Sequence, residues 1–208
     1  MRILPLSNRQ GSLAKLSFTT ALLLFLYCQA PAVAATLNTW VVNSSASSGS
    51  SGTFDVAINS PGGAIAINSF TIMVSVPSNS GITLLSASSL TNALNEPYVF
   101  TGIANSTFSP VVNSASAITI TATASSYSVN VGAATVGLAD VSFAVSPGAA
   151  GGPVTVTLSP SVFSPNGDPV PTGASNGSIT VTPEPALLSL FALAGSFSLL
   201  RRARLQKR

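Results

Sequence analysis

Histidine is absent from this chain of 208 residues, cysteine occurs once, and charged side chains make up only 6% of it. From Leu16 to Leu200 there is no Lys, Arg or His at all. Each absence removes a class of function. Binding nucleic acid takes a basic surface that neutralises phosphates and releases counterions, and this stretch has no cation to offer. Nucleophilic triads, Schiff-base chemistry and metal sites built on His or Cys lack their residues there, and the many serines have no base to activate them. Cys28 falls in an apolar N-terminal run, so the rest of the chain has neither disulfide nor thiol. A domain of about 150 residues buries an adequate core without one. No cofactor is expected.

What charge there is sits at the ends. Arg2, Arg9 and Lys15 lie at the front, and Arg201, Arg202, Arg204, Lys207 and Arg208 at the back. The formal net charge of +3 therefore belongs to the termini, and a product trimmed at both ends is weakly acidic, carrying Asp55, Glu96, Asp140 and Asp168. Residues 1–35 read as a secretory leader: a basic start, an apolar stretch from Leu16 to Tyr27, then small residues through Ala34 and Ala35, after either of which signal peptidase would cut. The apolar run is shorter than the ~20 residues of a spanning helix. Tyr27 before Cys28 is too large for a lipoprotein cleavage motif.

The other end has three parts: Pro183-Glu184-Pro185, an uncharged apolar stretch from Ala186 to Leu200, and the basic cluster from Arg201 to Arg208. Proline on both sides of Glu184 blocks helix propagation and holds the backbone extended, as suits entry into a processing enzyme's cleft. The apolar stretch would reach about 22 Å as a helix, workable in a bilayer when flanking arginines snorkel. A basic cluster behind it stays cytoplasmic, which puts the preceding domain outside. In this order the parts resemble the PEP-CTERM sorting signal of Gram-negative, biofilm-forming bacteria. The resemblance implies an exosortase-like processing enzyme as partner, with Pro183, Glu184 and Pro185 as recognition residues, and transient residence in the inner membrane before delivery to the cell surface or extracellular space.

Between these ends, residues 36–182 predict one all-β domain, an antiparallel β-sandwich, flanked by an N-terminal signal helix and a C-terminal hydrophobic helix. Apolar and small polar residues alternate over short runs bounded by Gly, Pro and Asn. Phe54, Val56 and Ile58 share one strand face, as do Phe70, Ile72, Val74 and Val76; Ile118, Ile120 and Ala122; Val141, Phe143 and Val145; Val154, Val156 and Leu158; and Ile179 and Val181. Further runs fall at Trp40 to Val42, Ile82 to Leu85, Tyr98 to Phe100 and Tyr127 to Val131. The apolar parity switches near Asn68 and Ser69, which predicts a bulge or a break between two strands. The serine-rich segment Ser44 to Ser51 reads as a loop or a flexible lead-in.

The series Gly52-Thr53-Phe54-Asp55-Val56, Ser69-Phe70-Thr71-Ile72, Gly137-Leu138-Ala139-Asp140-Val141-Ser142-Phe143 and Asn176-Gly177-Ser178-Ile179-Thr180-Val181 is similar to a cohesin-type module. The resemblance implies a jelly-roll sandwich of about nine strands. Val76-Pro77-Ser78-Asn79 stands where that family usually has an Asp-Pro step after its third strand.

Among candidate site residues, Asp55 and Asp140 are expected on the polar, solvated faces of their strands. A glycosidase would need two of the carboxylates to meet in a cleft. Asn166 and Asp168 fit a calcium site or, more simply, a turn. Trp40, Tyr98 and Tyr127 would mark a carbohydrate surface if they converged. The leading expectation is an exported, noncatalytic protein of the cell surface or extracellular matrix, with signal peptidase, an exosortase-like enzyme, the membrane and extracellular polysaccharide as partners. The alternative is a carbohydrate- or partner-binding cohesin-like module. Mass spectrometry of secreted and membrane fractions is expected to find a product that has lost Arg201 to Arg208; retention of those residues without dependence on an exosortase overturns the sorting assignment.

Overall fold

The computed structural model describes residues 35–89 and 96–183. The expected signal helix, the cleavage residue Ala34, and the tail from Glu184 onward, including Pro185, Arg201, Arg202, Arg204, Lys207 and Arg208, lie outside the described residues.

Fourteen strands and no helix occupy the described residues. They are β1 (Leu37–Val41), β2 (Ser44–Ser47), β3 (Ser51–Asn59), β4 (Ile65–Ile67), β5 (Ser69–Ser75), β6 (Ile82–Ser88), β7 (Ser106–Ser114), β8 (Ala117–Ala124), β9 (Val129–Val131), β10 (Val136–Val145), β11 (Gly152–Phe163), β12 (Pro169–Val170), β13 (Thr172–Ser175) and β14 (Gly177–Thr182). The smaller of two sheets runs β13-β1-β3-β10-β6 and the larger β2-β14-β11-β5-β8-β7, with β12 paired to β11 and a separate β4-β9 ribbon.

The alternation read from the sequence is what packs the sheets. Phe70, Ile72 and Val74 of β5 are fully buried and register against Ala122, Ile120 and Ile118 of β8. From the smaller sheet Phe54, Val56, Ile58, Val141 and Phe143 close the same core, with the Phe54 and Phe143 rings 5.9 Å apart. Each fully buried side chain of this size contributes roughly 1.5–3 kcal/mol over an exposed one. The predicted parity break is real: β4 ends at Ile67 and β5 begins at Ser69.

Several expectations change. The sandwich is not wholly antiparallel, because β1 pairs parallel with β13 and β2 parallel with β14. The first and last strand pairs therefore leave the smaller sheet together and join the larger one. Ser44–Ser47, read as loop, is β2, held by that pairing and by its own hydroxyls: Ser44 donates to the Thr53 carbonyl at 2.7 Å. β7 gave no alternation in sequence because it is an edge strand carrying Pro110, whose missing N–H costs nothing where no strand follows. Tyr98 to Phe100, read as a strand, makes one bridge to Gly137 and then turns.

The crossover fixes a glycine. A β-carbon on Gly177 would lie 2.7 Å from Val41 Cβ and 2.8 Å from its carbonyl oxygen. Gly177→Ala is therefore expected to lower stability by about 1–3 kcal/mol in urea unfolding. Gly132→Ala, with nothing within 4 Å, should leave the midpoint unchanged. Equal midpoints for the two variants would contradict the tight crossover.

Candidate functional site

The outward face of the larger sheet is built by the residues that alternate with its core. Strand register aligns Ser159, Met73, Thr119 and Val111 in one row across β11, β5, β8 and β7. The next row is Ser161, Thr71, Thr121 and Ser109. No position in these rows carries a charge. Thr71 and Thr121 hydroxyls meet at 3.3 Å, and the Asn113 amide donates to the Thr119 hydroxyl at 2.7 Å, so much of the polar surface is already engaged within the sheet. Into this hydroxyl lawn Met73 and Val111 project with 44% and 55% exposure, flanking Thr119. Val112 and Leu85 add exposed apolar surface at the side, where the Leu84 N–H donates to the Ala115 carbonyl and brings β6 against the β7–β8 turn. Four of the five exposed large hydrophobic side chains among the described residues thus lie on this sheet or its flank.

The residues picked out beforehand scatter. Asp55 and Asp140 are not on solvated faces: they are 0% and 3% exposed and stand directly opposite each other on β3 and β10, in a row continued by Ser88 of β6. Their positions carry the strand alternation outward, but the chain around them leaves no solvent there. The two positions face each other in register and are closed to solvent. Glu96 and Asp168 are exposed. Asn166-Gly167-Asp168 forms a turn closed by its own hydrogen bonds, with the Ser164 N–H donating to the Asp168 carbonyl at 2.9 Å and the Asp168 N–H to the Ser164 hydroxyl at 3.2 Å. Among the described residues no group of three or more His, Cys, Asp or Glu side chains is placed to hold a metal. Ala35 is half-buried, and Pro183 is exposed beside Gly151.

The aromatics do not converge. Trp40 and Tyr98 share a row with Ala57 and Gly137 between them, three strand spacings or about 14 Å apart. Tyr127 is exposed in the turn after β8. Tyr98 instead packs edge-on against Phe100 and Phe108, closing the sandwich beside β7. Trp40 lines an open groove on the smaller sheet with four asparagines.

The outward face escaped sequence reading for a reason. Met73 sits in the polar phase of β5, a single exception to the alternation, and Val111 sits in the strand whose pattern Pro110 masks.

With two facing sheets, this strand order and the parallel terminal pairs established, comparison with solved structures places the architecture. A non-cellulosomal cohesin from Archaeoglobus fulgidus superposes with a TM-score of 0.53 over 71% of this chain and 92% of its own, at 19% identity. The sixth cohesin of scaffoldin B from Acetivibrio cellulolyticus, solved with a dockerin, reaches 0.56 over 71% and 99%, at 17% identity. The OlpC cohesin of Clostridium thermocellum, also solved with a dockerin, gives 0.56 over 72% and 95%, at 13% identity. The fold is cohesin-like. No family model and no curated protein matches the sequence. The cohesin-like body agrees with the cohesin-type resemblance drawn from residues 52–56, 69–72, 137–143 and 176–181.

One side chain in this body has an unusual environment. The Tyr98 hydroxyl is buried without a hydrogen-bond partner, and burial pushes its phenol above the ordinary value of 10.0. The folded state keeps that proton where the unfolded chain releases it, so its contribution is intact below pH 10 and declines as pH rises beyond. Tyr98→Phe is expected to be as stable as the parent at neutral pH, or more so by up to about 1 kcal/mol, and to lose stability less steeply above pH 10 in thermal melts. A clear loss at neutral pH would mean that the hydroxyl is satisfied.

Proposed function

We propose that this protein is an exported, noncatalytic surface module whose cohesin-like body docks a partner protein on the outward face of the larger sheet. The carrying observation is the register of Met73, Thr119 and Val111: two exposed apolar side chains on a flat, charge-free field of Ser and Thr. A sheet face of this kind suits a partner surface with apolar anchors and neutral hydrogen-bonding groups, since burying an unpaired charge against it would be costly. Two of the similar structures described above are complexes with a dockerin, which favours a folded protein module as the occupant. The partner need not be a dockerin; the cohesin from Archaeoglobus fulgidus is described as non-cellulosomal.

Delivery belongs to the same proposal. The leader through Ala34 or Ala35 exports the chain, and the PEP-CTERM-like tail with Pro183, Glu184 and Pro185 passes it to an exosortase-like enzyme at the inner membrane. The support is the charge map, which assigns three cations to the leader and five to the tail and none to the body. Lack of His, Cys and Lys in the body, and closure of the Asp55–Asp140 pair, support a noncatalytic role.

The docking claim is tested by recovering the tagged full-length protein from its own cell envelope. Wild type is expected to bring one stoichiometric protein with it. The Met73→Glu, Val111→Glu double variant should lose it by more than about tenfold in affinity while keeping its melting temperature. Undiminished recovery of that protein by the folded double variant would refute docking on this face.

A further inference from the structure

The two strand pairs that change sheets leave a gap behind them. Where β1 gives way to β2 and β13 to β14, an open groove of about 680 Å³ lies along the edge of the smaller sheet. That volume falls within the ~300–1,000 Å³ of small-ligand sites. Its chemistry is distinctive for what it contains and for what it lacks. Trp40 stands in the middle; Asn38 and Asn59, directly opposed on β1 and β3, lie on one side, and Asn43 and Asn176, at the two crossovers, on the other. Among the described residues no charged side chain lines it.

The carboxamides are oriented by the fold. Asn43 Oδ1 accepts from the Ser178 N–H at 2.9 Å and Asn176 Oδ1 from the Leu158 N–H at 3.1 Å, satisfying backbone donors left open at the crossover. Each amide therefore has its NH2 end remaining as a donor. Asn59 belongs to the same wall, with its Oδ1 buried and without a hydrogen-bond partner. Thr39 already gives its hydroxyl to the Gly173 carbonyl at 2.9 Å, which ties the edge strand to β1 and fixes the wall of the groove.

We infer that this groove binds a neutral glycan chain. An indole face offers apolar area matched to the C–H side of a sugar ring. The exposed carboxamides of Asn38, Asn43 and Asn176 match hydroxyls, which both donate and accept. Lack of charge argues against nucleotides, metal ions and uronates, whose charge would be left unbalanced. The groove lies at an edge strand and is open, so an internal segment of a polysaccharide has a path through it. The site is on the smaller sheet and is independent of the docking face around Met73.

Trp40 is the only tryptophan of the chain, so its fluorescence reports on this groove alone. Purified full-length protein is titrated with short neutral hexose oligosaccharides of α and β linkage, and with an oligouronate of matching length. Expected is a saturable change with at least one neutral series and none with the oligouronate. Asn38→Ala and Asn59→Ala, which keep the reporter, should each weaken that response by about tenfold with unchanged melting. Trp40→Phe, followed by calorimetry, should weaken binding while preserving the fold, and Met73→Glu with Val111→Glu should leave it intact. Silence towards every neutral oligosaccharide at millimolar concentration overturns the inference, as does binding that the folded asparagine variants retain at full strength, or a stronger response to the oligouronate.

Discussion

The structure depends on the seam between the two ends of the domain. β1 and β2 run parallel to β13 and β14, and both pairs cross between sheets at one place. The crossover closes only because Gly177 has no side chain to meet Val41, and because Asn43 and Asn176 supply acceptors to the backbone N–H groups of Ser178 and Leu158. A sandwich of antiparallel hairpins would leave its first and last strands as loose edges. Here each holds the other, and the ends of the chain segment that carries the fold become its fastening. The same seam opens the Trp40 groove, so the fold and the groove share one cause.

How far the sequence discloses this can be traced residue by residue. The core was legible because Phe70, Ile72 and Val74, or Ile118 and Ile120, alternate with hydroxyl residues at period two. The break at Asn68 was legible from its parity. β2 was not, since Ser44–Ser47 has no apolar face and owes its conformation to β14, more than a hundred residues away. β7 was hidden by Pro110. Asp55 and Asp140 were misplaced because alternation tells which face a residue takes and cannot tell what covers that face. The outward face was hidden for a related reason: an apolar exception such as Met73 reads as noise until register puts Val111 two strands away in the same row.

Charge divides the molecule by task. Cations occur only in the segments read as leader and tail, and the body between has surfaces made mostly of hydroxyls, carboxamides and a few apolar side chains, with Glu96 and Asp168 as exposed carboxylates. Such surfaces are suited to neutral ligands and to contacts that salt does not screen. A cohesin-like body that meets a protein on one sheet and a glycan at the edge of the other would join two components of a cell surface without catalysis.

Methionine footprinting tests the docking face most directly. Met73 is the sole methionine of the body and is 44% exposed, so mild peroxide should convert it readily to the sulfoxide in the purified protein. On the intact cell surface the account predicts that Met73 is protected, and that protection is lost in the folded Val111→Glu variant. Oxidation of Met73 on cells at the rate seen in the purified protein would contradict it.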